Sequence, residues 1–177
     1  MFLNRSKRTL RHALEYVDHG WPIAALATPE NGECPCGREC EKPHLVSDTV
    51  YTHDRAHTVW FKNHPWDIAL MCDDFDAVGL PTAAGAPLYH SLGTKCPTMT
   101  VFKGKWWVFI VRPGAFDLKE VLKAGGTIRN GPEHWAPAAP SLLDGLGRLY
   151  WVAHPRETVW TPYARIDSVD IALGTTR

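Results

Sequence analysis

The sequence lacks a long apolar run, an excess of one charge and any internal repeat. No stretch approaches eighteen consecutive apolar residues, which argues against a membrane-spanning helix. Lysine plus arginine and aspartate plus glutamate number 19 each, so the basic excess typical of non-specific nucleic-acid binding is missing, and any polynucleotide contact must be local. The five cysteines are an odd number and no signal-peptide pattern precedes them, so we expect a cytoplasmic protein with reduced thiols.

The sequence also has little that indicates nucleophilic or phosphate-loop chemistry. Gly125-Gly126 is too short a glycine motif to predict a phosphate loop. Neither Ser141 nor Cys72 has a recognisable base or oxyanion context. His53 and His57 lie four residues apart on a predicted helix, but no third ligand is close in sequence, so we interpret them as surface histidines.

One short segment, residues 34–44, has the composition of a metal-binding loop. It reads CPCGRECEKPH and places three cysteines and a histidine within eleven residues. Thiolates and a neutral imidazole are ligands that zinc prefers, and a closed set of four is usually structural. The alternative is a redox-active or disulfide-linked pair of cysteines. We predict a zinc knuckle whose ligands are Cys34, Cys36, Cys40 and His44.

The order of predicted elements indicates one mixed α/β domain with a partly antiparallel sheet. Its clearest signal is a hairpin over residues 98–111 that turns at Lys103-Gly104-Lys105. The HWAPAAPSLL segment, residues 134–143, contains two prolines and is predicted as loop. The other predicted elements are a helix over 6–19, a strand in WPIAAL, a helix capped by Thr52, strands over 68–72 and 75–81, a helix capped by Thr82, a helix over 117–124 and a strand in RLYWVAH.

The chain resembles a known family over most of its length, from about Leu10 to His154. The resembling segments, in order, are HALEYVDHGWPIAAL, the cysteine loop ending in His44, WFKNHPWDIAL, GKWWVFIV and IRNGPEHWAPAAPSLL. Together they resemble the N-terminal domain of bifunctional DNA primase/polymerases, the prim-pol branch of the archaeo-eukaryotic primase superfamily. The resemblance implies a single primase-like α/β domain over residues 1–177, with an active site on an RRM-like sheet and the zinc-knuckle loop 34–44 within it.

The resemblance also implies two-metal nucleotidyl transfer, in which a D-x-D pair on a strand holds Mg²⁺ or Mn²⁺. When FDAVGLPTAAG is aligned with the strand that carries the pair, Gly79 and Pro81 replace both aspartates. A shifted alignment instead places Asp74 and Asp76 as the metal ligands. We prefer the first alignment, because the second requires a deletion between strands and Asp-rich turns are common for other reasons.

In the family, a histidine in the strand after the hairpin turn binds the nucleotide triphosphate. Here Trp106 and Trp107 occupy that stretch. We expect the groove of a degenerate domain to be apolar at its centre or filled by Trp106 or Trp107. Lys103, Lys105 and Arg129, with a tryptophan for stacking, are the candidate nucleic-acid contacts.

Three functions remain open at this point. The first is a catalytically degenerate primase/polymerase-like domain that acts as a nucleic-acid-binding or protein-binding accessory, with single-stranded DNA or a replication protein as partner. The second is an active minimal primase/polymerase, a nucleotidyltransferase with Asp74 and Asp76 as metal ligands. The third is a zinc-stabilised protein interaction module. Two departures from the family pattern in one site, the lost aspartate pair and the missing histidine, favour the first.

Overall fold

The computed structural model describes residues 2–30, 33–61, 65–143 and 145–164, which form a mixed α/β structure. No helix in this part of the chain has the length and apolarity needed to cross a membrane. The helices are α1 (Phe2–Asp18), α2 (His53–Trp60), α3 (Thr82–Leu92) and α4 (Leu118–Lys123). The strands are β1 (Ile23–Ala27), β2 (His44–Leu45), β3 (Asp67–Met71), β4 (Asp76–Pro81), β5 (Thr98–Val101), β6 (Trp106–Val111), β7 (Thr127–Arg129), β8 (Trp135–Ala138), β9 (Leu142–Leu143) and β10 (Gly147–Ala153).

The described chain divides into two compact units. The first contains the described residues up to Met71 together with Trp135–Leu149, and the second contains Cys72–His134 and the described residues from Tyr150 onward. In place of the single mixed sheet expected from the order of elements, the strands form two antiparallel sheets. The assignment of residues 1–177 to one prim-pol-like domain stays a prediction.

The sheet of the first unit has the strand order β2-β1-β3-β8. β1 and β3 are buried along their whole length, as the continuous apolar sequences of β1 and of residues 68–71 indicate. β8 lies within the segment that was predicted as loop, and that prediction was wrong. Pro137 stands opposite Ala69, but β8 is an edge strand, where a proline need not interrupt the ladder.

Two helices pack together in the first unit. α1 follows the predicted periodicity and buries Ala13, Tyr16 and Val17. The Tyr16 hydroxyl donates a hydrogen bond to the Ala139 carbonyl at 2.7 Å, which ties the helix to the residues that follow β8. Thr52 caps α2, as predicted, by accepting from the amide of Arg55.

A buried polar cluster joins β3 to the residues after β8. The Ser141 hydroxyl donates to the Ile68 carbonyl at 2.8 Å and accepts from the Ile68 amide at 2.7 Å. The Asp67 carboxylate is only 1% exposed and accepts from the Leu142 amide and from the Arg148 guanidinium. The Ser141 hydroxyl therefore joins the residues after β8 to the backbone of Ile68 in β3.

The sheet of the second unit has the order β7-β4-β6-β5, with β10 next to β5. β5 and β6 form the predicted hairpin, and Val101, Val108 and Ile110 are buried. α3 packs on one face of this sheet over a core that includes Leu88 and Phe109. Thr82 is the first residue of α3 and not its cap, because its hydroxyl donates to the Gly104 carbonyl at 2.6 Å.

Candidate metal centre and candidate nucleic-acid interface

The cysteine-rich loop 34–44 connects β1 to β2 in the first unit. The Gly37 amide donates to the Cys34 carbonyl at 3.0 Å and closes a tight turn. Gly37 has a φ of 77°, a left-handed conformation that glycine adopts without a steric penalty. His44 is the first residue of β2 and stands opposite Ala27 of β1, so the sheet fixes the far end of the loop.

The ligand atoms of Cys34, Cys36, Cys40 and His44 all lie within 4.8 Å of one another. The Sγ atoms of Cys36 and Cys40 are 3.5 Å apart, and Cys40 Sγ lies 3.9 Å from His44 Nε2. In a tetrahedral site with Zn–S bonds of ~2.3 Å, two sulfurs are separated by about 3.8 Å. The predicted convergence of these four side chains is therefore confirmed, and the cluster could hold a metal ion.

The histidine of the cluster is oriented by its second ring nitrogen. His44 Nδ1 lies 3.3 Å from the Lys42 carbonyl, which can only accept a hydrogen bond. The tautomer with its proton on Nδ1 would donate to this carbonyl and leave the lone pair of Nε2 facing Cys40. A backbone carbonyl that fixes the tautomer in this way is the usual second partner of a metal-binding imidazole.

The thiols of the loop differ in acidity. A hydrogen bond with the Arg38 backbone is the main cause that lowers the pKa of Cys36 from 9.0 to about 7. Desolvation is the main cause that raises the pKa of Cys40 to about 11, and its hydrogen bond with Cys36 adds to the effect. Metal-bound thiols are deprotonated, so a metal ion that enters the cluster displaces the Cys40 proton.

The remaining cysteines lie outside the cluster. Cys72 and Cys96 are buried, and this burial raises the pKa of each thiol to about 12. A buried thiol with a high pKa is unreactive and does not act as a metal ligand. The second unit therefore uses its cysteines as small apolar residues.

The second candidate site lies on one face of β4, β6 and β7. Residues that stand opposite each other in an antiparallel pair project from the same face, and alternate residues along a strand share a face. This face of the sheet, called the Gly79 face below, is defined by Ala77, Gly79, Pro81, Trp106, Val108, Ile110, Thr127 and Arg129. Four of these residues are buried, namely Ala77, Gly79, Val108 and Ile110.

Trp106 occupies the space above Gly79. A Cβ atom placed on Gly79 would lie 2.8 Å from Trp106 Cζ2, 3.0 Å from Trp106 Nε1 and 2.8 Å from Thr127 Oγ1. Contacts this short are not tolerated by real Cβ atoms, so the indole rests where a side chain at position 79 would stand. Trp106, one of the two candidate tryptophans, therefore covers Gly79, and the assignment of this face to a degenerate groove stays a prediction.

Trp107 projects from the opposite face of β6 into the core. Its indole Nε1 donates to the Gly104 carbonyl at 2.8 Å, and its ring stacks on Tyr89 at a centroid distance of 5.0 Å. It also packs on Gly85 of α3. Trp107 is therefore a structural residue, and only Trp106 is positioned to contact a ligand on the Gly79 face.

The candidate cations are all exposed. Lys103 and Lys105 lie in the hairpin turn, where Lys103 has a φ of 67°. Arg129 stands opposite Ala77 and shares the Gly79 face with Trp106, which is half-buried. Because Trp106 stands opposite Pro81, Arg129 and Trp106 lie at opposite ends of β4, so the structure does not bring all the predicted nucleic-acid contacts together.

The alternative carboxylates Asp74 and Asp76 have different environments. Asp74 is exposed in the bend between β3 and β4. Asp76 is 3% exposed, and its Oδ2 accepts from the Gly114 amide at 2.9 Å. Asp76 also projects from the face of β4 opposite to Gly79. Their role as metal ligands stays a prediction, and Asp76 has a structural role as the acceptor of the Gly114 amide.

Sequence reasoning missed Thr127. A Cβ atom on Gly79 would lie 2.8 Å from Thr127 Oγ1, the same distance as from Trp106 Cζ2. The Thr127 side chain is exposed. The TIR sequence of β7 is too short to give a strand pattern by itself, so no signal in the sequence pointed to it. Its position follows only from the pairing of β7 with β4.

Comparisons with known proteins do not identify this chain. No family model matches it, and neither a curated protein nor a solved structure matches it either. The functional argument therefore depends on the residues and their geometry.

Proposed function

We propose that this chain is a catalytically degenerate prim-pol-like domain that binds nucleic acid as an accessory and does not transfer nucleotides. The proposal is supported by the ordered resemblance of its segments to the prim-pol family. The mixed α/β architecture, with an antiparallel sheet that carries both β4 and the hairpin, is compatible with it. If the chain does not bind nucleic acid, a protein-binding accessory role is the alternative.

The contact between Trp106 and Gly79 is the observation that carries the proposal. In the preferred alignment, positions 79 and 81 are those of the metal-binding aspartates. Glycine and proline offer no anionic side-chain oxygen, and Trp106 leaves no room for a carboxylate at position 79. Without ligands for the two metal ions, the charge that develops in phosphoryl transfer is not stabilised, and turnover should be lost.

We further propose that Cys34, Cys36, Cys40 and His44 bind one structural Zn²⁺. All four positions of a tetrahedral site are then filled by protein atoms, so no position remains for water or substrate. The loop between β1 and β2 has few buried residues of its own, so the metal would supply most of its order. Mg²⁺ or Mn²⁺ would be a cofactor only if the chain is an active nucleotidyltransferase.

A template-dependent nucleotide-incorporation assay with Mg²⁺ or Mn²⁺ tests the proposal. We expect no incorporation by the parent chain, and none by the Asp74→Ala, Asp76→Ala double variant. Incorporation by the parent that disappears in the double variant would contradict the proposal and establish an active minimal primase/polymerase.

A gain-of-function variant tests the same geometry by a second readout. Gly79→Asp, Pro81→Asp and Trp106→His together restore the carboxylates and remove the indole. We expect this triple variant, once shown to be folded by circular dichroism, to bind Mn²⁺ by electron paramagnetic resonance more tightly than the parent does. Equal Mn²⁺ binding by both chains would show that positions 79 and 81 do not form the metal site.

A further inference from the structure

Two of the four proposed zinc ligands are already in contact through their sulfur atoms. The Sγ atoms of Cys36 and Cys40 lie 3.5 Å apart, and both side chains are partly exposed to solvent. The residues between them, Gly37, Arg38 and Glu39, are all exposed, so no buried side chain anchors this segment. A disulfide holds its sulfurs at about 2.05 Å, and a small movement of the exposed segment can supply that approach.

The third sulfur of the cluster, that of Cys34, is less well placed for a disulfide. Only Pro35 separates it from Cys36, and the proline ring fixes φ within the short ring that such a disulfide would close. The preceding residue, Glu33, pairs with Glu30 through two backbone hydrogen bonds, which anchors the backbone on this side of the loop. We therefore expect Cys34 to stay a thiol when the other two sulfurs are oxidised.

We propose that Cys36 and Cys40 are a site of reversible oxidation, at which a peroxide converts two zinc-bound sulfurs into a disulfide and the metal ion is released. The inference rests on the proposed zinc site, because it names the regulation of that site. A thiol must be deprotonated to bind zinc, and the thiolate is the nucleophilic form of cysteine. Both sulfurs are therefore in their reactive form while the metal is bound.

The reaction balances in two steps with hydrogen peroxide as the oxidant. The Cys36 thiolate attacks one peroxide oxygen, so that the S–O bond forms, the O–O bond breaks, hydroxide leaves and Cys36 becomes a sulfenic acid. The Cys40 thiolate then attacks this sulfur, so that the S–S bond forms, the S–O bond breaks and a second hydroxide leaves. The two thiolates lose two electrons, and these reduce the peroxide to hydroxide. The same products form if Cys40 reacts first.

Oxidation of this pair removes two of the four ligands. Cys34 and His44 remain, and two protein ligands do not make the closed set that holds a structural zinc ion. The sulfur of Cys40 lies next to that of Cys36, so it captures the sulfenic acid before further oxidation makes the change irreversible. A thiol reductant restores both cysteines by thiol–disulfide exchange. The cluster therefore loses its metal on oxidation and regains it on reduction.

The test treats zinc-loaded protein with hydrogen peroxide and measures released zinc with a chromogenic chelator, against an untreated sample. We expect one zinc ion to be released for each disulfide formed, and zinc to bind again after dithiothreitol. Trypsin cleaves after Arg38, so a disulfide between Cys36 and Cys40 joins two peptides, whereas one between Cys34 and Cys36 stays within a single peptide. Iodoacetamide added after denaturation should label Cys34.

Two variants with the same ligand chemistry form the matched comparison. Cys34→His and Cys40→His each leave two cysteines and two histidines in the cluster, a ligand set that also binds zinc. Cys34→His keeps the reactive pair and should still release zinc on oxidation, whereas Cys40→His removes the pair and should lose most of the release. The buried thiols of Cys72 and Cys96 are the internal controls and should stay reduced in every sample.

Each outcome decides the inference, and elemental analysis before oxidation tests the zinc site separately. Parent protein without zinc would refute the zinc site and this inference with it. Zinc-containing parent protein that keeps its metal in peroxide, a disulfide that involves Cys34, or equal release by the two variants would overturn this inference and leave the zinc site standing. If either variant does not bind zinc, the disulfide map of the parent protein decides which sulfurs react.

Discussion

Replacement of Gly79 by alanine tests directly whether Trp106 fills the place of a side chain. The added Cβ would meet Trp106 Cζ2 and Thr127 Oγ1 at 2.8 Å each. Overpacking of this kind costs about 1–3 kcal/mol. Alanine is more favourable than glycine inside a strand by about 0.5–1 kcal/mol, which offsets part of that cost. We expect Gly79→Ala to lower the free energy of unfolding by ~1–2 kcal/mol, measured by urea denaturation with an unchanged m-value.

The same substitution in a Trp106→Ala background should behave differently. With the indole removed, the Thr127 hydroxyl is the remaining close neighbour, and this exposed side chain can change rotamer. Gly79→Ala should then be neutral or stabilising by about 0.5 kcal/mol. The double-mutant cycle should therefore give a coupling energy of ~1–2.5 kcal/mol between positions 79 and 106.

Gly126→Ala is the control for this cycle. A Cβ on Gly126 would lie 2.5 Å from the backbone carbonyl of Gly79, and the indole of Trp106 is not among its nearest neighbours. It should destabilise the protein equally with and without Trp106. If Gly79→Ala is tolerated equally in both backgrounds, the indole does not occupy the position of the missing side chain, and the argument for a blocked site fails.

Further predictions concern the cysteines and the hairpin. Cys36→Ser should abolish stoichiometric zinc binding, measured by elemental analysis, and lower the free energy of unfolding by about 2–4 kcal/mol. Parent protein that contains no zinc and is only as stable as Cys36→Ser would contradict this prediction. At pH 8 the metal-free Cys40 thiol, with a pKa of about 11, is protonated and Cys36, with a pKa of about 7, is mostly ionised. Zinc binding should therefore release the Cys40 proton, seen as a buffer-dependent calorimetric enthalpy, and affinity should fall as the pH drops through 7. After chelation, three thiols should react with iodoacetamide, while Cys72 and Cys96 react only on denaturation; five reactive thiols in folded protein would refute the burial argument. Backbone amides paired within residues 98–111 should exchange slowly, and fast exchange throughout the segment would count against the hairpin.

Local sequence patterns were enough to predict several elements and the metal cluster. Four ligands within eleven residues can converge by the geometry of one loop, so their spacing alone predicts a site. The hairpin at residues 98–111 follows from two apolar runs around a short turn, and α1 follows from its period. In each case the residues that interact are close in sequence.

The sequence by itself determined which residues carry chemistry, and the tertiary structure decided which of them meet. Trp106 lies above Gly79 because β4 and β6 pair in one register, and a shift by one residue would turn the indole to the other face. The strand at Pro137 exists because β8 adds to an edge of β3, a context that overrides the local propensity of proline. Thr127 reaches the same site through the pairing of β7 with β4. Contacts between residues far apart in the chain depend on strand register and face, which short-range patterns do not encode.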